Sequence, residues 1–291
     1  MAAQFVALHD RAVIAAWLRR AADLHVYALA DLDDFFWPNT QWWALQDADA
    51  SDAPLLNHES LNDDEETNQR SDRANAIQAI AMTLSGFDPP VCYAVAPPND
   101  AAMARLLTAL SDHLPARSFV NLMMDGVTHL PQYRLESAGQ FLKMAISSID
   151  AARCVIAPEV RRLTGADLPA LIALHASEAR AAEDIRFFAN YMLERWPYAG
   201  IFIDGELVAA GGCHVLSDDY DVAAIGNVLT HPRLRGRGLA TRITQTLCAW
   251  LAPRIHTIGL NVKADNAAAI RCYSRVGFYP VSRYEEGLLL R

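Results

Sequence analysis

The sequence predicts an α/β (α+β) fold made of two domains. Its 291 residues exceed the roughly 100–200 residues that a single domain usually holds. Segments with strand-like alternation and segments with helical periodicity follow one another in both halves of the chain. Apolar residues make up 52% and charged residues 20%, a composition typical of folded globular proteins. We therefore predict one domain over residues 1–150 and a second over 151–291, connected near residues 145–160.

The first half begins with an amphipathic helix at Arg11–Ala22 and continues as strands and one further helix. Residues 57–75 contain few apolar side chains and are predicted to form a loop. The same periodicities predict the other elements, which are strands at Ala76–Leu84, Val91–Ala96 and Ser118–Met123 and a helix at Asn99–His113.

The segment His25–Leu45 is dense in aromatic side chains. These are Phe35, Phe36, Trp37, Trp42 and Trp43. Because aspartates lie beside them, the segment fits either a wall of a substrate pocket or a hydrophobic core with a turn at Pro38-Asn39. The core interpretation is favoured, since large aromatic side chains mostly fill protein interiors.

Sequence signals for helix starts and turns are clearer in the second half. Thr164 and Asp167 have the spacing of a capping box and precede an apolar run. Asp204-Gly205 separates two strand-like segments and predicts a hairpin. The remaining patterns predict strands at Val160–Leu163, Tyr198–Ile203, Glu206–Leu216, Asp221–Thr230 and Ile255–Val262, helices at Asp184–Arg195, Arg237–Leu251 and Asn266–Val276, and two short strands at the end.

Charge is distributed unevenly between the halves. Residues 1–150 hold 9 Lys and Arg against 20 Asp and Glu, whereas residues 151–291 hold 16 against 14. The acidic half is either a solvated surface or a field that attracts a cationic amine substrate. No basic stripe is present to neutralise phosphates, which argues against nucleic acid as a partner.

Membrane, secretion and metal functions are also disfavoured. No apolar run approaches the ~18 residues of a spanning helix, and the first residues lack the pattern of a signal peptide. The cysteines are odd in number and never form a CxxC pair; they are Cys92, Cys154, Cys213, Cys248 and Cys272. We expect reduced thiols in the cytoplasm, no metal site and no membrane partner.

An arginine- and glycine-rich segment has the features of an anion-binding loop. A strand ends at Thr230, and Pro232 blocks its continuation. Arg235-Gly-Arg-Gly-Leu-Ala240 then opens a helix, so that small residues let backbone N–H groups approach an anion beside a helix N-terminus. Arg233, Arg235 and Arg237 add positive charge, and the loop suits a pyrophosphate.

The surrounding pattern excludes two common nucleotide sites and indicates a third. A Rossmann site requires G-x-G-x-x-G near the first strand, and a P-loop requires Gly-Lys-Ser/Thr; both are absent. About 25 residues after the loop the chain reads Asn266-Ala-Ala-Ala-Ile-Arg-Cys-Tyr273-Ser-Arg-Val-Gly277-Phe278. Together these segments resemble the GNAT superfamily of N-acyltransferases, with its patterns Gln/Arg-x-x-Gly-x-Gly/Ala and Asn-x-x-Ala-x-x-x-Tyr-x-x-x-Gly-Phe. The resemblance covers roughly Ala157–Arg291.

The resemblance implies an acyl-CoA site between the fourth and fifth strands of a mixed sheet flanked by helices, with acetyl-CoA as co-substrate. Tyr273 would protonate the departing thiolate, and a strand N–H near Val228 would stabilise the oxyanion. The residues implied in binding the pantetheine arm and the pyrophosphate are Val228, Leu229, Thr230, Arg235, Gly236, Arg237, Gly238, Leu239, Ala240, Thr241 and Asn266.

The general base is not fixed by the resemblance. Many relatives that acetylate protein N-termini carry a glutamate five residues before the asparagine, and here that position is Asn261, which cannot act as a base. His214 is the natural candidate because its ordinary pKa lies near neutrality. Asp219, Asp221, Glu183 and a chain of waters remain open.

The first half lacks both motifs, yet its order of elements suggests a degenerate copy of the same fold. The resemblance thus implies two tandem GNAT-like domains, similar in architecture to glycine N-acyltransferase-like proteins. We predict acyl transfer to a small-molecule or amino-acid amine. The alternatives are a protein N-terminal or lysine acetyltransferase, a non-catalytic acyl-CoA sensor, and a self-associating structural protein; a homodimer remains open.

Overall fold

A computed structural model describes residues 3–48, 63–97, 99–177 and 190–291. The chain forms two compact units. Unit 1 comprises Met1–Leu142 and Ser282–Arg291, and unit 2 comprises Lys143–Val281. The predicted division after residue 150 is linear in sequence, whereas the observed first unit includes a segment from the far end of the chain.

The strands, in chain order, are β1 (Ala3–Leu8), β2 (Thr40–Asp47), β3 (Ile77–Leu84), β4 (Val91–Ala94), β5 (Arg117–Met123), β6 (Arg134–Ser147), β7 (Val160–Arg162), β8 (Tyr198–Ile203), β9 (Glu206–Ser217), β10 (Val222–Thr230), β11 (Thr257–Lys263) and β12 (Tyr279–Leu290). The helices are α1 (Arg11–Leu18), α2 (Val26–Ala30), α3 (Asp63–Asn75), α4 (Ala101–Leu110), α5 (Ser148–Ala151), α6 (Leu168–Ala176), α7 (Asn190–Arg195), α8 (Leu239–Leu251) and α9 (Ala267–Val276). The chain is thus α/β, with a mixed sheet in each unit.

The sheet of unit 1 is antiparallel through β1, β2, β3 and β4 and becomes parallel between β4 and β5. Helix α4 packs on β2 and β3, and its leucines enter the core with those of the strands. Within the aromatic segment, Trp42 and Trp43 are buried, and Trp43 stacks on Phe5 with ring centroids 5.3 Å apart. Phe35, by contrast, is exposed. The core interpretation therefore holds for Phe36, Trp42 and Trp43, whereas Trp37 is only half-buried.

The loop prediction for residues 57–75 is wrong over Asp63–Asn75, which form helix α3. The prediction failed because the sequence of this helix has no apolar stripe that would reveal helical periodicity. Arg73 forms an ion pair with Asp10 at 3.1 Å, and α3 packs against α1. Residues 57–62 lie outside the described part of the chain.

Unit 2 repeats the strand order of unit 1. Strands β7, β8, β9 and β10 are antiparallel neighbours, and β10 pairs with β11 in parallel. The capping box is present, since Thr164 and Asp167 satisfy each other's backbone groups, and the β8–β9 turn contains Asp204 and Gly205 in left-handed conformations. No described helix is long and apolar enough to cross a membrane.

The end of the chain differs from the prediction of two short strands. Tyr279–Leu290 forms one strand, β12, and its larger part belongs to unit 1, where it pairs antiparallel with β5. Tyr284 opposes Met123 and Leu290 opposes Arg117. Periodicity along the sequence cannot reveal such a pairing, because the partner strand lies more than a hundred residues earlier.

Candidate active site

The centre of unit 2 contains a break in its sheet. The parallel pairing of β10 with β11 runs from Val222 and Thr257 to Ile225 and Leu260 and stops there. On the other side, the register of β10 with β9 shifts between Gly226 and Leu229. Asn227, inside this bulge, has a left-handed backbone with φ of 51°. The last part of β10 therefore turns backbone groups toward a gap beside β11.

A glycine loop follows this strand and opens helix α8. Gly236 and Gly238 have φ of 78° and 76°, a region that residues with a Cβ rarely occupy. A Cβ at either position would meet no atom within 4 Å, so space beside the loop is open. Gly238 is the N-cap of α8, and no side chain caps the helix. The first N–H groups of α8 are therefore left for an anion.

Arginines surround this loop, and several already have partners. Arg233 pairs with Glu206 at 3.4 Å, and Arg242 pairs with Glu159 at 2.6 Å. Arg235 donates to the carbonyl of Thr230 at 3.4 Å. These contacts hold the loop against the start of β9 and the end of β10, and they hold α8 against the residue before β7.

Helix α9 carries the asparagine and the tyrosine of the second motif. The Asn266 side chain caps the helix by accepting from the Ala269 N–H at 3.1 Å, so its oxygen has a structural role. Tyr273 is buried, and its ring meets Phe278 edge-on with centroids 6.1 Å apart. Burial raises the pKa of Tyr273 above its ordinary value, with a smaller contribution from Cys272. The phenol is therefore protonated at neutral pH.

His214 lies directly over the bulge. A Cβ at Gly226 would overlap the His214 ring, so only glycine fits there. The ring nitrogen Nε2 is inaccessible to solvent and has no hydrogen-bond partner among the described residues. Burial lowers the pKa of His214, and a hydrogen bond with the Asn227 side chain partly offsets this. The imidazole is therefore neutral near pH 7.

Tyr198 completes a small polar network at the bulge. Its ring lies over Gly212, where a Cβ would overlap it, and the side chain is fully buried. Asn227 Nδ2 donates to the Tyr198 hydroxyl at 2.9 Å. Two glycines in neighbouring strands thus make room for two aromatic side chains that meet the bulge asparagine.

Comparison with known proteins identifies the fold and the family. Residues 168–278 match the sequence model described as the acetyltransferase (GNAT) family. Residues 168–278 therefore form a domain of the GNAT family. The match lies within unit 2 and includes the bulge, the glycine loop and both motif residues of α9. No curated protein matches the sequence significantly.

Solved structures resemble the chain in fold over one or both units. A Drosophila protein is 13% identical, with 99% of this chain and 98% of its own covered and a TM-score of 0.64. A tandem GNAT protein from the clavulanic acid biosynthesis pathway is 13% identical, with coverages of 99% and 98% and a TM-score of 0.51. A putative GNAT acetyltransferase from Novosphingobium aromaticivorans is 23% identical, with coverages of 72% and 88% and a TM-score of 0.50. At these identities the likeness is one of fold, and it supports two GNAT-like units.

The other base candidates of the GNAT domain lie elsewhere. Asp219 and Asp221 belong to the turn before β10 and are exposed. Asp221 is five residues from Gly226 along an extended strand, which corresponds to about 16 Å. The structure therefore does not bring these carboxylates to the bulge. Glu183 lies outside the described residues.

Sequence reasoning missed four contributors to this region, which are Tyr198, Gly212, Gly226 and Asn227. Glycines inside a strand pattern indicate a bulge or a close approach and could have signalled the site. A further contact that the sequence did not reveal joins helices α8 and α9, where Thr241 Oγ1 and Cys272 Sγ lie 3.2 Å apart. No described cluster of His, Cys, Asp or Glu could hold a metal ion.

Proposed function

We propose that the chain is an acyl-CoA-dependent N-acyltransferase that moves an acetyl group from acetyl-CoA to a primary amine of a small molecule or amino acid. The observation that carries the proposal is the gap where β10 leaves β11, directly before an uncapped helix N-terminus. A long ligand with a pyrophosphate at one end and a linear amide arm at the other matches these two features.

The backbone groups of Val228, Leu229 and Thr230 would hold the pantetheine arm as an added strand. The free N–H groups at the start of α8 would hold the pyrophosphate, with charge from Arg235 and Arg237. Asn266 retains an amide nitrogen that can donate, although its oxygen caps α9.

His214 would act as the base and Tyr273 as the acid. The amine attacks the thioester carbonyl carbon and forms the C–N bond while its proton passes to His214 Nε2. A backbone N–H of the bulge near Val228 or Leu229 stabilises the oxyanion. As the C–S bond breaks, its electron pair stays on sulfur, and the Tyr273 phenol protonates the thiolate. The proton on His214 returns to Tyr273 through solvent.

The second candidate function is an acyl-CoA sensor without catalysis. It is favoured by Asn261, which stands where many relatives have a catalytic glutamate. The buried tyrosine and histidine support the enzyme instead, because a sensor requires neither a thiolate acid nor a base. The same asparagine supports a small-molecule amine over a protein N-terminus.

Thiol release from acetyl-CoA tests the proposal. We would assay glycine, ethanolamine, spermidine and phenethylamine with wild type, Tyr273→Phe and, as a control, Tyr279→Phe at an exposed tyrosine. We expect release with an amine to fall by about 10²–10⁴-fold in Tyr273→Phe and to persist in Tyr279→Phe. If acetyl-CoA raises the Tm but no amine releases thiol, the sensor is favoured. Failure to bind acetyl-CoA would refute the assignment of the glycine loop.

We place this reaction in the cytoplasm. All five cysteines are free thiols, which supports a reducing compartment. Burial raises the pKa of Cys92 and Cys213 to about 12, so these thiols are poor nucleophiles and fit a structural role.

A further inference from the structure

Asn227 occupies a position in the β10 bulge that glycine usually takes. Its φ of 51° lies in the left-handed region, which glycine enters freely and most other residues enter only with strain. Between the register pairs on either side of the bulge, β10 advances by three residues and β9 by two, so β10 carries one extra residue. An asparagine at such a position indicates that its side chain supplies a contact that glycine would lack.

The Asn227 side chain reaches a tyrosine two strands away. Asn227 Nδ2 donates to the Tyr198 hydroxyl at 2.9 Å, although β9 lies between β8, which carries Tyr198, and β10. Neighbouring strands are about 4.8 Å apart, so this contact joins strands separated by about 10 Å. The Tyr198 ring crosses β9 by lying over its register partner Gly212, where a Cβ would overlap the ring. The hydrogen bond therefore depends on a glycine in the middle strand.

The adjacent glycine, Gly211, admits the bulge on the other face of the sheet. Side chains alternate along β9, so Gly211 and Gly212 face opposite sides. A Cβ on Gly211 would lie 3.0 Å from Cγ2 of Val228 and 2.9 Å from Cγ2 of Ile243 on α8. Val228 thus packs closely on the face that α8 covers, and Tyr198 covers the opposite face. Contacts on both faces hold the bulge in place.

The bulge contains the backbone groups on which the proposed reaction depends. Within the described part of unit 2, Val228 has no register partner on β9, and the pairing of β10 with β11 has already stopped at Ile225. In the proposed reaction an N–H of Val228 or Leu229 stabilises the oxyanion. Such a donor is effective when its direction is fixed before the charge develops. A rotation of one peptide plane in the bulge would redirect that N–H.

We propose that Tyr198 is a positioning residue, which through Asn227 holds the β10 bulge in the conformation that directs the N–H of Val228 or Leu229 at the oxyanion. The inference rests on the proposed N-acyltransferase function and adds a residue on another strand that sets the rate of its chemical step. Asparagine suits this role better than glycine, because it tolerates a left-handed backbone and also ties that backbone to a buried ring.

Two single variants remove the same hydrogen bond in different ways. Tyr198→Phe keeps the ring over Gly212 and loses the hydroxyl, whereas Asn227→Gly loses the side chain and keeps access to the left-handed backbone. A misplacement of about 1 Å can lower a rate by about 10²-fold, so kcat for thiol release should fall by about 10–100-fold in each. Because both variants lose one bond, the double variant should be no slower than the slower single variant.

The split between kcat and KM separates positioning from a general loss of structure. KM for acetyl-CoA should change by less than about 3-fold, because the glycine loop before α8 is held by its own ion pair and hydrogen bond. The matched control is Tyr133→Phe, which removes another buried tyrosine hydroxyl bond, made at 2.7 Å to the Leu114 carbonyl in unit 1. This control should lower the Tm about as much as Tyr198→Phe does and leave kcat unchanged.

Amide hydrogen exchange gives a readout without acetyl-CoA. Loss of one hydrogen bond corresponds to local opening that is about 3–10-fold more frequent. Peptides that cover Asn227–Thr230 should therefore exchange faster by that factor in Tyr198→Phe and in Asn227→Gly. In Tyr133→Phe the same peptides should exchange at the wild-type rate.

Four results would each overturn the proposal while thiol release by wild type upholds the proposed function. They are a wild-type kcat in Tyr198→Phe, unchanged exchange at the bulge, losses that multiply in the double variant, and an equal loss of kcat in Tyr133→Phe. Asn227→Gly supplies the same test if Tyr198→Phe does not fold. Absence of thiol release by wild type with every amine would instead refute the proposed function and this inference with it.

Discussion

Units 1 and 2 share one strand order but differ at the place where the ligand would bind. In unit 1, every residue of β4, from Val91 to Ala94, pairs with β5. In unit 2, β10 continues past its last pair with β11 through Gly226–Thr230. The extra residues carry the bulge and the exposed backbone groups. The proposed site of unit 2 therefore lies where a strand extends beyond its partner, a feature that β4 lacks.

Helices α4 and α8, which follow β4 and β10, also differ, because only α4 has a side-chain cap at its start. The start of α4 is capped by Asp100, whose carboxylate accepts from the Met103 N–H at 2.8 Å. The start of α8 has a glycine and no side-chain cap. A carboxylate at a helix start occupies its donors and repels a phosphate, whereas glycine leaves the donors open. Unit 1 therefore has a capped helix start where unit 2 has the uncapped start that we propose as an anion site.

The largest expected effect comes from removing the base over the bulge. His214→Gln keeps a polar side chain but cannot accept a proton at neutral pH, and kcat should fall by about 10²–10⁴-fold. Burial lowers the pKa of His214, so the part of the acidic limb that comes from protonation of this imidazole should lie below the ordinary histidine range. A pH profile of thiol release by wild type and by His214→Gln measures both the fall in kcat and the position of the acidic limb. An acidic limb that persists unchanged in His214→Gln would contradict the assignment.

A smaller effect is expected when an aspartate, which caps α4 in unit 1, is introduced at the start of α8 in unit 2. Gly238→Asp puts a carboxylate at the start of α8 and should weaken acetyl-CoA binding by about 10–100-fold, measured by calorimetry. Gly205→Asp is the matched control, because Gly205 also has a positive φ, of 82°, in an exposed hairpin. Equal binding in the two variants would mean that the loop does not hold the phosphates.

The smallest effect is expected when the aspartate cap at the start of α4 in unit 1 is removed. Asp100→Ala removes the cap of α4 and should lower stability by about 1 kcal/mol, seen as a reduced Tm. Acetyl-CoA binding should not change, since the described residues of unit 1 include no glycine loop like the one that opens α8. A loss of acetyl-CoA affinity in Asp100→Ala would show that unit 1 takes part in binding.

Local signals in the sequence predicted much of unit 2. The glycine loop before a helix, the Asp204-Gly205 hairpin and the helix that carries both Asn266 and Tyr273 all depend on nearby residues, and all are present. The network of Tyr198, Asn227 and His214 could not be predicted, because it depends on which residues of β8, β9 and β10 become neighbours. Register between strands is set by the whole sheet.

Unit 1 was harder to predict for the same physical reasons. Helix α3 is tied to the rest of unit 1 by the ion pair of Arg73 with Asp10, and its sequence has little apolar pattern to reveal it. Strand β12 pairs with β5, which lies more than a hundred residues earlier in the sequence, and no spacing in the sequence indicates that pairing.

The return of β12 to unit 1 has a consequence for synthesis. Most of unit 1 is synthesised before unit 2, yet Tyr284 and Leu289, which are fully buried and belong to unit 1, are made after all of unit 2. Until then β5 lacks one neighbour and has an open edge. Unit 2 can complete its sheet earlier, so the half that is made first is the half that finishes folding last.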